Sequence, residues 1–102
     1  MPFDIVGIND IPDLPAEVAL FDNYPNPFNA STVIKYDLPQ TSTVTLIIYD
    51  LLGRHVATLL DGHQPAGSHS VTWRADNQPS GIYFYRLSAG ETTFTKKLTL
   101  LK

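Results

Sequence analysis

The sequence has no cysteine, and among its 102 residues there is one methionine and one tryptophan. Without cysteine, a disulfide framework, a zinc finger and a thiol redox motif are all excluded. Charge is also sparse: Lys, Arg, Asp and Glu make up 17% of the chain, and seven basic residues stand against ten acidic ones for a net charge of -3. Binding to a phosphate backbone needs a basic face, and the pair Lys96 and Lys97 is too small to supply one, so nucleic acid is not an expected partner. No apolar run approaches the ~20 residues of a membrane helix, the longest candidate being Leu46 to Tyr49, so no membrane insertion is expected. A secretory leader is not visible either, because Met1 is followed by Pro2 and Phe3 rather than by a basic and then a long apolar stretch. Met1 therefore reads as the start of a fragment excised from something longer.

Catalytic patterns are missing as well. His55, His63 and His69 are scattered over different runs, with no partner at metal-ligand spacing. None of Ser31, Ser42, Ser68, Ser70, Ser80 and Ser88 sits in a nucleophile-elbow pattern. The aspartates fall mostly at turns, where the carboxylate usually bonds its own backbone. Asp76 and Asn77, with a neighbouring loop, form a candidate structural calcium site, since hard cations take clustered oxygens. Asn29-Ala30-Ser31 fits the glycosylation triplet, but a turn role for Asn29 is preferred.

What remains is a chain with 43% apolar residues, enough for one globular core of ordinary domain size. Residues 1–16 mix Pro2, Pro12 and Pro15 with acids and show no period, which predicts an extended linker tail. Val18 to Phe21 is a short edge-strand candidate. From Ser31 onward short runs alternate with turn signals. Ser31–Leu38 places Ile34, Tyr36 and Leu38 on one face, and Thr43–Asp50 does the same with Val44, Leu46 and Ile48. Leu51-Leu52-Gly53-Arg54 is a tight connection, with Gly53 free to take φ > 0. His55–Leu60 follows, ended by a hairpin signal at Asp61-Gly62. Gly67–Arg74 puts His69, Val71 and Trp73 together. Ala75–Ser80 should close a compact hairpin before Ile82–Ala89, whose inward side carries Tyr83, Tyr85 and Leu87. Gly90-Glu91 turns the chain into Thr92–Leu101. Six or seven such strands predict an all-β sandwich over residues 17–102.

The ordered motifs carry more. Tyr24-Pro25-Asn26-Pro27-Phe28-Asn29, Val44 through Gly53-Arg54, Ala66-Gly67 through Trp73, Ser80-Gly81-Ile82-Tyr83 and Lys96 through Lys102 together resemble the C-terminal sorting domains of proteins exported by the type IX secretion system. The resemblance runs from about Leu20 to Lys102. Ala30 stands where that family often has proline, and Ile47 where it is often polar. The resemblance implies an immunoglobulin-like sandwich of about seven antiparallel strands that is not itself an enzyme and needs no cofactor. It implies a role as the address that takes a larger cargo across the outer membrane of a Gram-negative bacterium, by way of the periplasm, to the surface or the medium. Its partners would be the translocon and a sortase-like peptidase that often removes the domain and attaches the cargo to the surface.

Within that reading, recognition is expected on the last two strands: Lys96, Lys97, Leu98, Leu100 and Lys102 on the closing strand, with Gly81, Tyr83 and Tyr85 beside and beneath it. Pro25, Asn26, Pro27, Gly53 and Arg54 form the family's turn motifs. If the closing strand lies at a sheet edge, its unpaired backbone can be read by strand addition, and two copies could pair there. Removing Thr99–Lys102 is expected to leave the sandwich largely folded. Two other readings compete: a structural spacer of the kind found in flagellar hook-capping proteins, and a carbohydrate-binding module using Tyr24, Phe28 and Tyr49.

Overall fold

The computed structural model describes residues 14–102. They form seven strands: β1 (Ala19–Leu20), β2 (Ser31–Leu38), β3 (Ser42–Asp50), β4 (His55–Gln64), β5 (Gly67–Arg74), β6 (Gly81–Ala89) and β7 (Thr92–Leu100). One sheet has the order β1-β2-β5 and the other β4-β3-β6-β7, with every strand pair antiparallel. The expected linker tail lies almost entirely outside the described residues.

Alternation builds the core. Thr32, Ile34, Tyr36 and Leu38 of β2 are buried, as are Val44, Leu46 and Ile48 of β3 and Tyr83, Tyr85, Leu87 and Ala89 of β6. Two sheets with matching apolar faces stack, and each large side chain so buried contributes roughly 1.5–3 kcal/mol. β5 gives Trp73 to this layer, with Val71 half-buried against it, and β7 gives Leu98 and Leu100.

Two connections and the end of the last strand differ from the sequence reading. Asp61 and Gly62 do not turn the chain; they lie inside β4, opposite Thr45 and Val44. The turn comes at Pro65-Ala66, and β5 leaves for the other sheet to pair along the whole of β2. An Asp-Gly hairpin would have returned β5 onto β4, whereas all eight residues of β5 pair with β2. Ala75–Ser80 is likewise a crossover between sheets rather than a hairpin. It is pinned by the Ala75 N–H on the Ala30 carbonyl at 2.9 Å. Finally, Leu100 is wholly buried and the Leu101 N–H bonds the Phe28 carbonyl at 2.9 Å. Removing the last four residues would thus take Leu100 out of the core and the Leu101 bond off Phe28, and would not leave the sandwich intact.

Leu100→Ala is accordingly expected to cost about 2–5 kcal/mol of folding stability, read as a lower urea midpoint with little change in slope. A loss below about 0.5 kcal/mol would contradict its placement.

Candidate recognition site

The segment between β1 and β2 links the two sheets. Phe21 and Tyr24 continue the pairing with β2, through the Phe21 N–H on the Lys35 carbonyl and the Tyr24–Val33 bridge. The Tyr24-Pro25 and Asn26-Pro27 peptide bonds are both cis. The chain then reaches the other sheet, where Phe28 bridges Leu100 in parallel. Inside the bend, the Thr32 hydroxyl donates to the Pro25 carbonyl at 2.9 Å, and the buried Asn23 amide donates to the Thr32 oxygen at 3.0 Å. Outside it, Asn26 Oδ1 accepts the Thr99 N–H at 3.1 Å, and the Phe28 N–H takes the Thr99 carbonyl at 3.0 Å. The Phe28 ring is 2% exposed and sits 5.6 Å from Trp73, which in turn meets Tyr83 edge-on at 5.4 Å. The Pro25-Asn26-Pro27 motif is therefore a clamp on the end of β7.

That clamp divides the outer edge of β7 in two. Backbone groups of alternate residues point to opposite sides of an antiparallel strand. Thr99 and Leu101 face the clamp, so Thr93, Thr95 and Lys97 present their N–H and C=O groups on the same side, away from β6. No strand follows β7 in its sheet, and this stretch is an open edge among the described residues.

The residues expected to be read there separate into two sets. Lys97 is exposed, and Lys96 reaches Asp22 at 3.1 Å. Lys102 closes the end of the strand, its main-chain N–H on Ser80 Oγ at 2.9 Å and its ammonium on the Asp76 carbonyl. Leu98, Leu100 and Tyr85 are 0% exposed and Tyr83 is 4% exposed. Their side chains hold the hairpin together and are closed to a partner docking on the folded domain. Tyr85 donates its hydroxyl to the Phe21 carbonyl and Tyr83 to the Pro79 carbonyl, each at 2.7 Å. Phe94, which alternation puts on one face with Lys96, Leu98 and Leu100, is 38% exposed beside the open edge; sequence reasoning missed Asp22, the partner of Lys96. Nothing local could have flagged Asp22.

Gly53 and Arg54 lie at the end of the sandwich where Lys102 meets Ser80, at the β3–β4 turn. Gly53 has φ +84, a left-handed conformation that glycine adopts freely. Asp50 organises the turn, accepting the N–H groups of Leu52 and Arg54 at 2.9 Å and the Arg54 guanidinium at 2.7 Å. These bonds, the Arg54 N–H foremost, hold its carboxyl below the usual carboxylate range. Between this turn and Pro79–Tyr83, and including Gly81, lies an open groove of about 440 Å³.

The remaining candidates are dispersed. His55 bonds Thr58, His63 bonds Thr43, and His69 stacks on Tyr36 with its ring nitrogen on the Pro65 carbonyl. Among the described residues no group of three or more His, Cys, Asp or Glu gathers as a metal site. The carboxylate of Asp76 faces Arg74 at 3.8 Å. Of the three aromatics proposed for sugar, Tyr24 is 80% exposed, Phe28 is buried, and Tyr49 lies under the Arg86 guanidinium at 4.6 Å.

An immunoglobulin-like sandwich with an open strand edge, and with no assembled catalytic constellation among the described residues, defines an interaction domain. The comparison with family models gives the kind. The model described as the secretion system C-terminal sorting domain matches residues 22–101, and the chain belongs to that family, the sorting signals of type IX secretion. Such a domain marks a protein for export across the outer membrane and is not itself catalytic. A solved structure of PorZ, described as an essential bacterial surface component of the type IX secretion system of Porphyromonas gingivalis, has the same fold. The match has a TM-score of 0.59 at 17% identity and covers 82% of this chain but 12% of that one. No curated protein matches the chain.

Tyr85 ties this site to pH. Burial, with the Asp22 charge adding to it and an Asn23 main-chain bond opposing, pushes its hydroxyl up to about 12. Burial raises Tyr36 and Tyr83 as well. Between the ordinary tyrosine value of about 10 and the folded value, the native state holds protons that the unfolded chain has released. Stability is therefore full below pH ~10 and falls as pH rises toward 12. Tyr85→Phe should make that decline shallower. At neutral pH it should cost about 1–3 kcal/mol, because the Phe21 carbonyl loses its buried donor. Thermal unfolding from pH 7 to 12 checks both; an unchanged alkaline slope would contradict the assignment.

Proposed function

We propose that the domain is the export address of a larger secreted protein and that the type IX translocon reads it at the β6–β7 hairpin. The reading rests on one observation: the edge of β7 is open from Thr93 to Lys97 and clamped beyond it. An open edge offers main-chain hydrogen bonds to an incoming strand, and the neighbouring exposed Lys97 gives that strand a charge to match. The cargo passes through the periplasm, and a sortase-like peptidase cuts in the proline-rich acidic segment of residues 1–16. The cargo is then released or attached to the surface.

A fluorescent reporter carrying an inner-membrane export signal and fused ahead of residues 1–102 tests the address in a type IX-competent host. Fluorescence at the surface or in the medium is expected; a reporter held in the periplasm would sink the proposal. Thr95→Pro tests the site of reading. Its N–H faces outward, so proline there blocks strand addition without breaking a bond to β6. Export should fall at least about tenfold, the size expected of lost main-chain bonds to a docked strand. Undiminished export would move recognition elsewhere.

A further inference from the structure

The open part of the β7 edge is bounded at both ends. At one end is the Gly90-Glu91 turn that starts the strand. At the other is the Asn26–Phe28 clamp, which takes the outward groups of Thr99 and Leu101. A strand laid antiparallel along this stretch must therefore end by the level of Thr99. A second copy of β7 meets that condition, because its own Gly90-Glu91 turn arrives where the clamp of the first copy begins.

The outward groups belong to odd-numbered residues, which fixes the registers open to such a pair. One of them centres on Phe94. Thr93 of each copy then faces Thr95 of the other, and their N–H and C=O groups exchange hydrogen bonds. Lys97 of each copy comes against the turn carrying Glu91 of the other, so that a cation meets an acid on both sides of the axis. Phe94 meets its own symmetry mate in a pair without main-chain hydrogen bonds, where opposed side chains lie closest. Phe94 is 38% exposed in the single copy. Threonine pairs, opposite charges and aromatic pairs each favour a strand partnership. Lysine on an edge ordinarily discourages pairing; here Glu91 of the mate answers it. The other edge strand of this sheet, β4, carries two bulges that twist an edge away from partners.

We infer that the domain self-associates through β7, two copies forming one eight-stranded sheet about a two-fold axis at Phe94. This inference concerns the purified chain and does not rest on the export reading. The two compete for the same edge, so a dimer would hide it until a stronger strand displaces the mate.

Sedimentation equilibrium of the full chain from about 10 μM to about 1 mM, the range of weak single-strand interfaces, tests it. A reversible dimer is expected. Thr95→Pro should remove it while leaving the thermal unfolding midpoint nearly unchanged. Lys97→Glu sets like charge against Glu91 twice and should raise the dissociation constant about tenfold. Adding Glu91→Lys to it should restore the affinity to within about threefold of the starting chain. A monomer throughout the range, full dimerisation of Thr95→Pro, or failure of the charge exchange to restore pairing would each overturn the inference. Should Thr95→Pro fold poorly, the charge exchange decides alone, since both its positions are exposed.

Discussion

Three rings join the parts of this domain: Phe28 from the segment before β2, Trp73 from β5 and Tyr83 from β6, with centroids 5.6 and 5.4 Å apart along the chain of contacts. One comes from each sheet and one from the segment that passes between them. A small sandwich buries only part of its surface, and tilted aromatic pairs add about 0.5–1.5 kcal/mol each beyond their burial. The larger consequence is positional. With Phe28 seated on Trp73, Asn26 and the Phe28 main chain are carried to the outer edge of β7, where they take the Thr99 and Leu101 groups. The same ring that fills the core thereby decides how much of the closing strand stays open.

Much of the fold was legible because its central strands obey a period of two. β2, β3 and β6 bury alternate residues with no interruption, and their ends coincide with Pro39, Asp50 and Gly90, where proline, a turn-forming carboxylate and a glycine stop the ladder. β4 resisted for a definite reason. Its register against β3 shifts between Leu46 and Ile47 and again between Ile48 and Tyr49, leaving Leu59 and Val56 unmatched. Each bulge inserts a residue and breaks the alternation. The half-buried Val56, Leu59 and Leu60 then stand at spacings of three and one, which imitates a helical stripe. Asp61-Gly62 misled because a dipeptide suited to hairpins can also sit in a strand. The choice between those fates is made far along the chain, where β5 finds its full-length partner in β2.

The candidate site was legible only as a region. The ordered motifs point to the closing strands and to the Pro25-Asn26-Pro27 segment, and all of these do converge on one edge. Their division of labour was not readable, since it depends on contacts across more than seventy positions, such as Asn26 with Thr99. Leu98 and Leu100 share a face with Lys96 in the sequence pattern, yet burial falls on the leucines and solvent on the lysine. Alternation assigns a face but not the depth at which the opposite sheet stops covering it. Here it stops between Leu98 and Thr95: the inner side of β7 is bare from Phe94 toward the Gly90 turn.

A fully closed edge would give the domain more hydrogen bonds, and a fully open one would expose it to indiscriminate pairing. The half-clamped strand lies between these limits. The clamped end carries Leu98 and Leu100, so the hydrophobic core keeps the strand in register whether or not the open end is occupied. The open end is rich in threonine and lysine, which favour an extended backbone while keeping it soluble. A partner strand can therefore dock and leave without any part of the sandwich having to unfold. An edge whose register is fixed in the core and whose hydrogen bonds are left unspent a few residues away keeps the strand ordered and leaves it free to pair.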